Sequence, residues 1–216
     1  MHIQSTFRAS HGVMPGTLAG SEILTAMQPA AVTLFQPDAL IYAQGDVAGS
    51  ELYLVEFGTV RICRVTADGR RQITGFLTAG DVFGFEAGGE HDSSAESVDG
   101  AGIRILRPVA GQQSAVAILH MALKSLARTQ HQLMLLGCHS ANARFAAFLT
   151  DLNERQGHER VIHLPMQRND IADYLGMTIE TVSRTLRFLK DQGIVRLKTI
   201  SDIQILDRDA LADLCE

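Results

Sequence analysis

Between residues 31 and 106 the apolar side chains come in short runs: Ala31–Phe35, Leu40–Ala43, Glu51–Val55, Thr59–Val65, Gln72–Leu77 and Ala101–Leu106. Gly45-Asp46, Gly58, Asp68-Gly69 and Gly80-Asp81 punctuate them. The runs are rich in Val, Ile, Leu, Phe and Tyr, side chains that suit a pleated surface. Asp68-Gly69 joins two runs directly, and because glycine reaches positive φ cheaply, this pair predicts a tight hairpin. Many short strands at regular spacing predict a sandwich, roll or barrel.

Past Gly111 the period changes. Val116, Leu119, Leu123, Leu126, Gln130 and Leu133 step by three and four residues alternately, the a/d seam of a coiled coil. A helix lying on its own strand domain is one reading of this stretch; a two-chain coiled coil is the other. Ala115, Ala122, Ala127 and the polar flanks leave a narrow apolar stripe, which favours the second. Gln130 is a polar seam position of the kind that fixes register at some cost in stability.

From Ser140 a third texture begins. Phe145, Phe148, Leu149 and Leu152 mark an amphipathic helix closed by Gly157, and Leu164-Pro165 leads into a helix pair. The first helix is expected from Arg168 to Leu175, with Ile171, Ala172 and Leu175 on one face. Gly176 then serves as a left-handed terminator and Thr178 as the N-cap of the next helix. In that second helix Val182, Leu186 and Leu189 share one face, while Glu180, Ser183, Arg184 and Arg187 share the other. Beyond it, Gly193–Leu197 and Ile203–Leu206 bracket Ser201-Asp202 and suggest a two-stranded wing.

The exposed face of the second helix carries chemistry suited to DNA. Arginine bonds bidentately to guanine, and glutamate accepts from the amino group of cytosine. On an arbitrary helix Glu180 and Arg184 would read as a solvated i,i+4 pair; the short first helix, the glycine turn and the cap shift the reading to a helix-turn-helix. Base reading is therefore assigned to Glu180, Ser183 and Arg184. Contact with the DNA backbone is assigned to Arg168, Thr178, Thr181, Arg187, Arg196 and Lys198.

Charge qualifies this picture. The 216 residues carry a formal net charge of -5, so attraction to phosphate must be local. Residues 178–198 hold five cations against two carboxylates, whereas residues 140–216 hold ten against twelve. Phosphate affinity should be modest per subunit, and dimerisation should matter. Three cysteines, no C-x-x-C and no long apolar stretch point to a reducing cytoplasm and no membrane partner. Residues 1–20 lack a secretory core and read as a lead-in. Eight histidines show no ligand spacing, so no metal or cofactor is expected, and no nucleophile–base pair suggests an enzyme.

The order of strand domain, long helix and winged helix-turn-helix resembles the CRP/FNR superfamily over nearly the whole chain. Glu180-Thr-Val-Ser-Arg184 resembles the E-x-x-S-R signature of its FNR and FixK branch, with the FixK subgroup the nearest match. The resemblance implies an α+β fold. Residues 1–27 would be the lead-in, 28–110 a β-roll of the cyclic-nucleotide-binding jelly-roll type, 111–139 a dimerisation helix, and 140–216 the winged helix-turn-helix. It implies a homodimeric transcription activator reading a TTGAT-N4-ATCAA palindrome and contacting RNA polymerase. Members typically serve microoxic, respiratory and nitrogen-fixation genes.

Two departures define the expectation further. Oxygen sensors of the FNR type hold an iron–sulfur cluster on N-terminal cysteines, but the first cysteine here is Cys63. Cyclic-nucleotide binders carry an F-G-E run and a later R-S-A. The matching stretch here is Phe83-Gly84-Phe85-Glu86 through Ser93-Ser94-Ala95, and Ser93 stands where the phosphate-binding arginine would be. Binding without an effector is therefore expected, with a haem-gated or otherwise gated regulator of the same fold as the alternative. A winged-helix protein-interaction module is a further alternative, disfavoured because such a helix needs apolar anchors where Arg184 stands. Some FixK-like proteins have an oxidisable cysteine at the position of Ser183, which keeps the size without that liability.

Overall fold

The computed structural model describes residues 27–215; the lead-in expected at residues 1–27 therefore lies outside them but for Met27. The first sheet comprises β1 (Met27–Phe35), β2 (Leu40–Tyr42), β3 (Leu52–Val65), β4 (Arg71–Leu77), β5 (Val82–Phe83) and β6 (Ser94–Pro108). All pairings are antiparallel, in the order β1-β6-β3-β4, with β2 on β6 and β5 on β3. This is the anticipated β-roll. The Asp68-Gly69 hairpin is present, with Gly69 at φ 80 and its N–H donating to Thr66 O at 2.8 Å.

Glu51–Val55 and Thr59–Val65, expected as two strands, are the single strand β3. Gly58 bends this strand instead of ending it, at φ 81 between two register shifts against β6. A Cβ at Gly58 would stand 2.0 Å from Gly100 O, so the backbones approach there as only glycine permits. The expected Ala101–Leu106 is likewise the second half of a longer strand. Its first half hides behind polar residues such as Glu96 and Ser97, the latter fully buried.

Helix α1 (Gln112–Gly137) follows. Met121, Gln132 and Leu135 are buried, and Met121 joins Leu52, Leu54, Val82 and Leu106 in one apolar cluster under the roll. Gln132 Nε2 donates to Ile73 O at 3.3 Å, and Arg128 reaches Asp81 and Val82 O. The helix does lie on its own β-roll, but by this face alone. Val116, Leu119, Leu123, Leu126 and Leu133 are 52–63% exposed, and Gln130 is exposed beside them.

The C-terminal unit contains α2 (Ala141–Arg155), β7 (Val161–His163), α3 (Arg168–Leu175), α4 (Ile179–Asp191), β8 (Val195–Leu197), β9 (Asp202–Ile205) and α5 (Arg208–Asp213). Ser140 caps α2, its Oγ accepting from Ala143 N at 3.0 Å, and Asp207 caps α5 through Ala210 N at 2.9 Å. The wing expected as two strands is a three-stranded sheet in the order β7-β9-β8. Phe145, Leu149, Ile162, Ile171, Leu175, Leu189 and Ile203 fill the centre of this unit. Cys63, Ile73, Phe76 and Val98 of the β-roll belong to the same cluster, so the two units share one interior.

Candidate nucleic-acid interface

Gly176 ends α3 at φ 61 and ψ 44, the left-handed conformation that places the next helix across the first. Thr178 is extended, and its Oγ1 accepts from Thr181 N at 3.2 Å, satisfying one of the orphan amides that open α4. Val182, Thr185, Leu186 and Leu189 turn inward. Glu180, Ser183, Arg184 and Arg187 are all exposed on the opposite face, as their spacing requires.

The first turn of α4 is wired locally. Thr178 Oγ1 and Thr181 Oγ1 lie 3.2 Å apart, and Arg184 Nη2 donates to Thr181 Oγ1 at 3.1 Å. The Glu180 carboxyl is held below its usual range by its own backbone N–H, then by the Thr178 hydroxyl and the Arg184 charge. It therefore stays an acceptor at neutral pH. Among the described residues no ion pair joins Glu180 to Arg184; the guanidinium turns to Thr181 instead.

Of the residues assigned to the DNA backbone, Thr178, Arg187, Arg196 and Lys198 are exposed, and Arg168 and Thr181 half-buried. Arg168 opens α3, while Arg196 lies on β8 and Lys198 just beyond it. The turn after Lys198 is clamped. Thr199 Oγ1 accepts from Ser201 N and Asp202 N at 3.1 and 2.9 Å and donates to Asp202 Oδ2 at 2.9 Å. His163 on β7 binds Asp202 Oδ1 at 2.8 Å and is the main cause of that carboxyl's lowered pKa, with Thr199 second. A strand that the sequence did not reveal thus fixes the base of the wing.

A cavity of about 640 Å³ lies where the β-roll meets α1, α2 and α3; Tyr42, Phe83, Glu86, Ser93, Arg128 and Tyr174 are among its walls. Glu86 Oε1 is 3.1 Å from His91 Nδ1. The His91 ring stacks on Tyr42 at a centroid distance of 3.7 Å.

Sequence reasoning missed the polar contacts that fasten this unit to the β-roll. Arg61 on β3 and Arg71 on β4 both reach Asp170 on α3, Arg71 also reaches Asp173, and Arg155 on α2 reaches Asp81. Burial alone would lower the Arg61 pKa, but the Glu96 hydrogen bond and the charges of Asp170 and Glu96 carry it above its ordinary value. The partners are 74 to 109 residues apart, and no local pattern announces them.

Residues 143–214 match the model of the Crp-like helix-turn-helix domain, and residues 32–98 that of the cyclic nucleotide-binding domain. The chain is 44% identical, over 87% of its length and 88% of the relative, to the nitrogen fixation regulation protein FixK of Rhizobium meliloti (strain 1021). It is 39% identical, over 90% and 82%, to the nitrogen fixation regulation protein FixK of Azorhizobium caulinodans. The solved structure of FixK2 from Bradyrhizobium japonicum superposes with a TM-score of 0.78 at 34% identity, covering 87% of this chain and 98% of that one.

Proposed function

The chain belongs to the CRP/FNR family of transcription regulators, among its FixK members, and from that premise we propose a homodimeric activator that binds a TTGAT-N4-ATCAA palindrome without a small-molecule effector. The observation that carries this reading is the capped α4, which presents Glu180, Ser183 and Arg184 together on one exposed face. Glu180 accepts from a cytosine amino group, Arg184 donates to a guanine, and Ser183 sits between them against a base edge or methyl group. Arg168, Thr178, Thr181, Arg187, Arg196 and Lys198 fix the register on phosphate.

Two copies meet along Val116, Leu119, Leu123, Leu126, Gln130 and Leu133. The apolar members of this row are exposed in the single chain, and its heptad spacing suits a parallel partner helix. The partners are double-stranded DNA, a second copy and RNA polymerase, in the cytoplasm. Among the described residues no helix is long and apolar enough to cross a membrane.

Support for effector independence comes from the pocket wall. Ser93 brings no cation to a phosphate, and Glu86 is already engaged by His91. In place of the missing arginine, a phosphate there would have to draw Arg128 or Arg155 away from Asp81, or take Lys124. One observation favours a second reading, an effector-gated regulator: a cavity of about 640 Å³ touching roll and helices alike. The test is binding of metal-stripped, nucleotide-free protein to the palindrome in air. Specific binding supports the first reading. Binding that requires cyclic AMP, haem or cluster reconstitution replaces it with the second.

A further inference from the structure

A dimer that reads two half-sites must hold its two copies of α4 at a separation and rotation set by the duplex. Inserting one base pair moves a half-site by about 3.4 Å and turns it by about 35°. The covalent path from α1 to α2 is the short segment 138–140, whose single bonds do not set that rotation. Noncovalent contacts must do so: some run directly from α1, through the His131–Asp151 pair, and others come from the β-roll, which is itself packed on α1 through Met121 and the Arg128–Asp81 pair.

The roll's polar contacts fall on α2, where Arg155 reaches Phe76 O, Thr78 and Asp81, and on α3. The Asp170 side chain is 4% exposed, and its two oxygens are divided between Arg61 Nη1, at 3.0 Å, and Arg71 Nη2. Arg71 Nε also donates to Asp173 Oδ2 at 2.9 Å, and Gln72 Nε2 donates to Asp173 O at 2.6 Å. Beside them the Tyr174 ring lies 5.1 Å from that of Phe76. One face of α3 is thus pinned to β3 and β4, and α4 follows α3 directly.

The roll side of this junction is satisfied even without the DNA-binding unit. Arg61 is also held by Glu96 at 2.7 Å and Asp38 at 3.0 Å, and Arg71 is about a third exposed. Breaking these polar contacts therefore strands no buried charge on the roll.

We propose that Asp170, through Arg61 and Arg71, is a positioning residue that sets the half-site spacing this protein accepts. It reads no base. It fixes where α4 stands relative to the dimer axis, so that one spacer length fits and its neighbours do not. The proposal rests on the DNA-binding reading above but not on any particular palindrome.

The experiment uses the full-length protein and the operator that the wild type itself selects from random DNA. Affinity is measured for that operator, for versions with the spacer shortened or lengthened by one base pair, and for versions with one base changed in each half-site. D170N keeps the side chain's size but places an amide donor among guanidinium donors. Its preference for the selected spacer is expected to shrink about tenfold, equivalent to about 1.4 kcal/mol, while the penalty for a changed base stays as in the wild type. R71E should behave alike, because it sets a carboxylate against Asp170 and Asp173. The swap R71E with D173K should restore much of the spacer preference at these partly exposed positions. Thermal unfolding reports whether each variant is folded, and should D170N not fold, R71E and the swap carry the test. An unchanged spacer profile in the folded variants overturns the proposal. So does joint loss of spacer and base discrimination, which would make Asp170 a support of the reading unit's own fold. A wild type that selects no operator would instead sink the DNA-binding reading itself.

Discussion

Arg184 Nη2 donates to Thr181 Oγ1 at 3.1 Å, which ties the guanidinium to the helix surface one turn back, beside the cap of α4. A guanidinium restrained in this way loses less freedom on meeting a base edge than one waving in solvent. Arg184→Ala should therefore cost about 1–3 kcal/mol on the selected operator and relax preference at one base pair per half-site. Arg196→Ala and Lys198→Ala should weaken all sequences alike and reduce the salt slope by about one unit each. Competition binding across single-base operator variants at several salt concentrations checks both. An Arg184→Ala protein with intact discrimination would remove that residue from base reading.

The exposed stripe on α1 yields a second expectation. Replacing Leu123 and Leu126 together with Glu should give folded monomers, because both side chains are already half in solvent in the single chain and support no core of their own. Like charges across a coiled-coil seam oppose association. Sedimentation equilibrium should show the monomer mass, with weaker binding to the full palindrome. A tight dimer in that variant would place the interface elsewhere.

How much of this was legible beforehand depends on the range of the signals. The helix pair was legible to the residue at Arg168, Leu175, Gly176 and Thr178, because capping, left-handed glycine and helical spacing act over four or five positions. The seam on α1 showed for the same reason. β5 is two residues long, too short for any alternation to register. The first half of β6 was hidden because Ser97 and Glu96 break the apolar pattern while being satisfied across the sheet: Ser97 N donates to Ala39 O at 2.9 Å, and Glu96 takes Arg61. The wing's third strand and the Arg61–Asp170 contact share one cause, pairing at long sequence separation.

Tyr174 supplies a pH prediction. Burial, reinforced by the Asp151 carboxylate, pushes its hydroxyl up to about 12. The folded state thus favours the neutral phenol, and stability is full below the unfolded value near 10. It should fall as pH rises from about 10 to 12, by about 2 kcal/mol from this group. Tyr174→Phe, which cannot ionise, should flatten the slope in that window. Denaturant midpoints measured across it provide the check, and equal slopes in both proteins would contradict the assignment.

Two glycines of the roll should respond differently to alanine. At Gly58 the added methyl carbon meets Gly100 O at 2.0 Å, on a backbone at φ 81, so the strands must separate; a loss of about 2–4 kcal/mol is expected. At Gly75 nothing lies within 4 Å of the new carbon, and the change should be nearly neutral. Chemical denaturation of the two variants side by side decides the matter.

The apolar cluster that gathers Cys63, Ile73, Phe76 and Val98 with the interior of the C-terminal unit bears on how such proteins can be recombined. Cutting at residue 140 looks natural along the chain, yet it divides a single interior and leaves one wall behind. A graft of residues 140–215 onto a foreign roll would expose Leu149, Tyr174 and their neighbours to a surface shaped for other side chains. The heritable unit of recognition is therefore larger than the helix-turn-helix. It includes the β3–β4 hairpin, and a working chimera should carry residues 59–77 along with the reading head they evolved to seat.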